Sequence, residues 1–102
     1  MNIQAMMKQA QALQKDMLKA KKEIDEKEFV GESSLVKITL LGTKEVKSVK
    51  IDSSSELDKE DIEMLEDMIM VAFNDATKKI DAETEKKMGK FANIPGYFSY
   101  VS

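Results

Sequence analysis

Two stretches of this chain carry helical periodicity over lengths that a globule of its size cannot enclose. From Asn2 to Lys27, apolar residues recur at Ile3, Met6, Ala10, Leu13, Met17, Ala20 and Ile24. The spacing alternates three and four, the seam of a helix that packs lengthwise against another. From Asp58 to Met88 a second pattern puts Ile62, Leu65, Met68, Ile69, Ala72, Phe73, Ala76 and Ile80 on one wide face, suited to a sheet. At about 1.5 Å per residue the two helices reach about 39 and about 45 Å. A compact chain of 102 residues has a radius of gyration of about 13 Å, hence a diameter of about 33 Å. The helices must project, their free ends near Met1 and Met88 lying together as an arm. The seam needs cover, and a second copy of the chain is its simplest source, so a homodimer is expected.

Between the helices the period changes to two. Phe29-Val30-Gly31 is short, β-prone and ends at glycine. In Leu35–Leu41, Val36, Ile38 and Leu40 share one strand face, and Gly42-Thr43-Lys44 reads as a turn. Glu45–Asp52 reads as another strand with Val49 and Ile51 inward; Val46 has the opposite parity, which a bulge near Lys47-Ser48 accommodates. Asn2 suits the N-cap of the first helix. Asp58 and Asp61 suit a capping box at the start of the second, and Gly89 its C′ position. The expected fold is α+β: a long N-terminal helix, a small antiparallel sheet of about three strands, and a long C-terminal helix. A single domain over 1–102 divides into a helical arm (1–28), a sheet (29–52), a second helix (58–89) and a tail (90–102), where Pro95-Gly96 marks a turn near Tyr97, Phe98 and Tyr100.

Composition removes whole classes of chemistry. With no cysteine and no histidine there are no disulfides, thiol nucleophiles, or thiolate or imidazole metal ligands. The apolar run Met68–Phe73 falls far short of the roughly 20 residues of a membrane span. Asp52, Ser54, Glu56, Asp58, Glu60 and Glu63 occupy the ligand offsets of a calcium loop, but Leu57 stands where its glycine belongs. The four glycines are isolated and build no phosphate cradle. The expectation is a cytoplasmic protein that is not an enzyme, with no cofactor, no metal, no membrane partner and no small-molecule substrate.

Charge is more informative. The net charge of −3 hides five lysines within residues 1–22 (8, 15, 19, 21 and 22) against the single acid Asp16. With the seam facing inward, Lys8, Lys15 and Lys22 align on the opposite side and Lys19 joins them. Neighbours in that line are about 10.5 Å apart. Ammonium groups on flexible stems meet phosphates as point charges without reading bases. A second cluster, Lys78, Lys79, Lys86, Lys87 and Lys90, lies toward the end of the second helix, where cations also suit the helix dipole. Two readings stay open: a backbone-binding surface for duplex DNA, or a solvated face on a cytosolic coiled-coil module whose seam docks a partner helix.

The chain resembles a known family in a set of segments that run in order. They are Met7-Lys8-Gln9-Ala10-Gln11 with Leu13-Gln14, the turn Val30-Gly31-Glu32-Ser33, and the strands Leu35-Val36-Lys37-Ile38 and Val49-Lys50-Ile51-Asp52. Glu63-Met64-Leu65-Glu66-Asp67 then runs into Ala72-Phe73-Asn74-Asp75-Ala76, with a Pro-Gly near the end. Together these are similar to the YbaB/EbfC nucleoid-associated proteins. The resemblance implies a bacterial, tweezer-shaped homodimer that binds double-stranded DNA at the nucleoid through its helical arms, with a gene-regulatory or nucleoid-organising role. The arm positions here are Lys8, Lys15, Lys19, Lys22, Lys78, Lys79, Lys86 and Lys87, and the dimer or arm seam is Ile3, Met6, Ala10, Leu13 and Met17. The glycine-rich segments that members often carry before the first helix and after the Gly-Glu-Ser turn are missing. Lys78-Lys79 stand where relatives often have arginines, so charge is kept and fork geometry lost.

Overall fold

The computed structural model describes residues 2–52 and 56–91. The loop residues 53–55, and the tail turn with Tyr97, Phe98 and Tyr100, lie outside these. The order is α1 (Ile3–Glu26), β1 (Glu28–Ser33), β2 (Val36–Leu41), β3 (Val46–Ile51), a 3-10 turn (Lys59–Asp61), α2 (Ile62–Met88) and a second 3-10 turn (Gly89–Phe91). Three antiparallel strands in the order β1-β2-β3 form the sheet, as the period-two stretches predict. The described chain extends 72 × 18 × 15 Å, with a radius of gyration of 19.5 Å. That is far above the compact value of about 13 Å. The helices do project.

The ends of the elements follow local chemistry. The Asn2 carboxamide oxygen accepts from Gln4 N at 3.1 Å and Ala5 N at 3.3 Å, capping α1. At the start of α2 the Asp61 carboxylate accepts from Asp58 N at 2.8 Å. In the β2–β3 pair, Thr39 faces Ser48 but Leu40 faces Val46, leaving Lys47 as the extra residue of a bulge. This is how Val46 returns to the face it shares with Val49 and Ile51.

α2 lies across β1 and β2, where Ala72, Ala76 and Ile80 bury against Phe29, Val36, Ile38 and Leu40, with Leu65, Met68 and Ile69 half-buried around them. It then runs past the sheet and pairs with α1. Lys27 Nζ meets Glu83 at 2.7 Å and Lys87 Nζ meets Glu23 at 3.9 Å, so rising positions on α2 meet falling ones on α1. The pairing is antiparallel. A second core of Met17, Ile24, Met88 and Phe91, with Ala20, fills that junction. Each of these large side chains contributes about 1.5–3 kcal/mol on full burial.

Four sequence expectations need correction. Gly31 does not end a strand or make a turn; it lies mid-strand in β1, facing Ile38 of β2. A Cβ there would stand 2.0 Å from Ala72 O and 2.6 Å from Ala76 N, so its hydrogen is what lets the α2 backbone approach the sheet. The turn falls instead at Ser34-Leu35, with Ser34 at φ 49°. Gly89 is not a left-handed C′ residue; it keeps helical dihedrals (φ −58°, ψ −34°) and leads into the turn that buries Phe91. Val49 and Ile51 are not buried, because α2 covers their partners Ile38 and Val36 on β2 but leaves β3 bare. Finally, Ile62 and Phe73 belong to the apolar period of α2 but remain exposed in the protomer.

The two glycines should respond oppositely to alanine. Gly31→Ala must push a helix backbone off the sheet, and its cost should lie at or above the top of the about 1–3 kcal/mol seen for overpacking. Gly89→Ala meets nothing within 4 Å and should stabilise by about 0.5–1 kcal/mol. Urea unfolding at a fixed protein concentration measures both.

Candidate nucleic-acid interface

The charged surface is built on α1, where the seam sets the orientation. Burial of Met17 and Ile24 against the end of α2 turns Lys8, Lys15, Lys19 and Lys22 outward, and all four are exposed. Among the described residues there are seven ion pairs, and they engage Lys21, Lys27, Lys37, Lys44, Lys47, Lys79 and Lys87. None involves the four ridge lysines. Asp16, the only acid in the first 22 residues, is too little to neutralise them.

The lysines of α2 divide. Lys87 reaches Glu23, the neighbour of Lys22, and Lys86 is exposed beside it, while Met88 holds the tip of α2 on the seam side of α1. Lys90 lies over the Phe91 ring, 5.1 Å from its centre. Lys78 and Lys79 belong to the body instead. Lys79 donates to Val30 O at 2.7 Å and lies 3.4 Å from the Asp75 carboxylate, clamping α2 to β1. Lys78 is exposed beside Asn74 and Asp75. The structure therefore gathers Lys8, Lys15, Lys19, Lys22, Lys86 and Lys87 on the arm and sets Lys78 and Lys79 apart. Of the seam residues, Met17 is buried and Leu13 half-buried, while Ile3, Met6 and Ala10 are exposed.

Sequence reasoning missed one basic pair. Lys37 and Lys50 face each other across β2 and β3 on the outer side of the sheet. Like charges directly opposite are unfavourable, and Lys37 is relieved by Glu32 at 3.4 Å. Folding the two strands about the Gly42-Thr43-Lys44 turn, with one residue bulged, gives this pairing from the sequence alone. Among the described residues, no group of three or more acidic side chains is arranged to hold a metal ion, and no helix is long and apolar enough to cross a membrane.

Two carboxylates are held below their usual range. Asp75 accepts from the backbone N–H of Glu32 at 3.1 Å, the larger cause, and Lys79 adds to it. Glu83 is lowered mainly by its hydrogen bond from Lys27. A carboxylate depressed in the folded state adds stability above its unfolded pKa, and this is lost as pH falls through the folded value. Asp75→Asn should therefore lose less stability than the parent as pH falls from about 5 to about 2, as thermal melts across that range will show.

The chain is similar to known proteins in both sequence and fold. Residues 1–94 match the YbaB/EbfC DNA-binding family, which is not an enzyme family. A nucleoid-associated protein of Enterococcus faecalis is 43% identical over 99 residues, covering 94% of each chain. One from Streptococcus pneumoniae is 46% identical over 94 residues, covering 90% of this chain and 94% of its own. The fold also matches the crystal structure of the uncharacterised Helicobacter pylori protein HP0035. Its TM-score is 0.72 at 18% identity, over 91% of this chain and 99% of that one. The chain belongs to the YbaB/EbfC DNA-binding family.

Proposed function

We propose that this is a nucleoid-associated DNA-binding protein of the bacterial cytoplasm that meets duplex DNA as a homodimer, through lysine–phosphate contacts along its arms. The observation that carries this reading is the alignment of exposed lysines along the α1 ridge. Lys8, Lys15, Lys19 and Lys22 stay exposed along one helix face with no acidic partner among the described residues, whereas seven other lysines are drawn into ion pairs. Lys86 and Lys87 extend the surface at the tip of α2. Family membership and the names of the relatives agree with it. All 16 basic residues are lysines, so bidentate guanine recognition by arginine is absent and affinity should exceed sequence discrimination.

The dimer contact we assign to the face that α2 leaves bare. Val46, Val49 and Ile51 stand on the core side of β3, exposed at 47%, 49% and 41%. On α2, Asp75 and Lys79 reach toward β1, so Phe73, on the other side of the Ala72–Ala76 line, stands toward β2 and β3. Ile62 lies on that same flank. An apolar strand face beside an apolar helix flank is the composition of an interface core. It is separate from the lysine ridge.

Two experiments test these points. Lys8→Glu/Lys15→Glu/Lys22→Glu should abolish binding to two unrelated duplexes while helicity and dimer survive; unchanged affinity at fixed salt in the folded variant refutes the ridge. In the parent, affinity should fall steeply with salt, and each lysine position neutralised to glutamine removes a contact from both arms of the dimer and should reduce the magnitude of the log–log slope by about 1.8. Val49→Asp should give a folded monomer by sedimentation, because the residue is exposed in the protomer. A dimer of undiminished stability would place the contact elsewhere.

A further inference from the structure

β1 is an edge strand, and two side chains of α2 occupy its open side. Gly42 N donates to Lys27 O at 3.0 Å where the β1–β2 pair begins. Bonding to β2 therefore alternates through Phe29, Gly31 and Ser33, and the N–H and C=O groups of Val30 and Glu32 point away from the sheet. A strand laid alongside would accept from Glu32 N and donate to Val30 O. In the protomer the Asp75 carboxylate accepts from Glu32 N at 3.1 Å, and the Lys79 ammonium donates to Val30 O at 2.7 Å. The two side chains thus make the hydrogen bonds that a neighbouring strand would make. They pair with each other at 3.4 Å with both partners exposed, a class of contact that contributes little, so a strand can take their place.

Beside that edge α2 offers a groove. Met64, Met68, Val71, Asp75 and Lys79 are spaced four, three, four and four apart, one line along the flank of the helix that faces β1. Met64 and Val71 are exposed at 40% and 54%, with Met68 half-buried between them. They line a depression of about 480 Å³ that reaches Ser33. Val71 continues into a second depression of about 380 Å³, bounded by Glu32, Asp75 and Lys78. A segment extended along β1 would set alternate side chains on these apolar atoms. The walls of the larger depression are acidic. Glu60, Glu63 and Asp67 line it, and none of the three joins an ion pair among the described residues. Ile62 and Phe73, assigned above to the dimer, lie on the opposite flank.

We propose that the β1 edge and this flank of α2 form a docking site for an extended, lysine- or arginine-bearing segment of another protein. The segment adds to the sheet as a further strand and displaces Asp75 and Lys79 from Glu32 and Val30. Charge selects the occupant. DNA is repelled by the carboxylates of the groove, and β1 of a second copy would bring its own Glu28 and Glu32 into them. β3 of a second copy carries Lys47 and Lys50, but the dimer contact assigned above covers its apolar face. A basic segment with alternate apolar side chains meets both the unpaired acids and the Met64–Val71 floor. The site is a protein-binding function on the body of the molecule, additional to the DNA-binding arm and to dimerisation.

The probe is a short fluorescent peptide of alternating valine and lysine, titrated with the full chain. Its anisotropy should rise on binding, and the Val30 amide should gain protection from hydrogen exchange. The same peptide N-methylated at every second residue keeps its side chains but cannot pair, and should bind about tenfold more weakly or less. A peptide of alternating valine and glutamate should not bind. Val71→Lys, a change at an exposed position, should weaken binding of the lysine peptide by about tenfold. Asp75→Ala/Lys79→Ala vacates the edge and should bind the peptide more tightly than the parent, a gain that a purely structural clamp does not predict. If that variant loses helicity, Val71→Lys and the N-methylated peptide decide alone. No binding to the parent, equal binding of the N-methylated or glutamate peptide, or undiminished binding by Val71→Lys overturns the proposal. So does sedimentation of the folded Asp75→Ala/Lys79→Ala variant as assemblies larger than the parent, which would show that another copy of the chain fills the edge.

Discussion

Where α2 crosses β1, the helix backbone rests almost directly on the strand backbone. The space that a Gly31 side chain would fill is taken by Ala72 O, Ala76 N and Ala76 Cβ, all within 3 Å of the position of an added Cβ. Two alanines one helical turn apart and a mid-strand glycine make this close approach possible, and much follows from it. A helix held so near β1 covers β1 and β2 and does not reach over β3. Its axis then carries it off the sheet toward α1. Gly42 serves α1 in the same way: a Cβ there would fall 1.8 Å from Ile24 O, and its N–H donates to Lys27 O at 3.0 Å. The direction of the arm is therefore set by two backbone contacts. The surrounding ion pairs are solvent-exposed, a class worth about 0–1 kcal/mol each, and they trim the arrangement more than they create it.

The distribution of ion pairs has a simple origin in the order of charges along the chain. Carboxylates are dense in α2 and at the edges of the sheet, so lysines that fold near them find partners, as Lys27 does with Glu83 and Lys44 with Asp81 at 3.2 Å. The outward face of α1 before Lys22 has only Asp16 as an acid within its own helix. Its ammonium groups remain available by default. Fields decay over about 8 Å at physiological salt, so the acidic body, most of it several such lengths away along a 72 Å molecule, does little to cancel them. A net charge of −3 is thus compatible with an arm that attracts a polyanion.

Much of the fold was legible in residue periods, because a seam with spacing three and four and a strand with spacing two report which faces are apolar. The Asn2 cap and the Lys47 bulge were legible for the same local reasons. What the periods do not report is how far the covering element extends. Val49 and Ile51 have the inward parity and do face the core side of the sheet, yet they are exposed, since the width of α2 is spent on two strands. Gly31 looked like a turn because glycine permits both a turn and a close approach, and only the facing Ala72 and Ala76 distinguish them. On the charged surface, the outward placement of the α1 lysines follows from the seam. The diversion of Lys79 to Val30 O and Asp75 depends on which strand α2 crosses, a tertiary fact with no local signature.

In the proposed dimer, the two exposed features of the protomer are linked by an energetic need. A lysine ammonium is a point charge on a flexible stem, and a single exposed contact to a phosphate contributes little beyond the release of a counterion. One arm bearing four such groups is a weak ligand for DNA. Joining two protomers through the bare β3 face and the Phe73 flank makes the second arm's encounter intramolecular, and its effective concentration then depends on how stiffly each arm is carried. The backbone contacts at Gly31 and Gly42 supply that stiffness, and the uncovered strand supplies the joint. An apolar surface that would be a liability on a monomer is therefore the element that makes a ridge of weak charges sufficient.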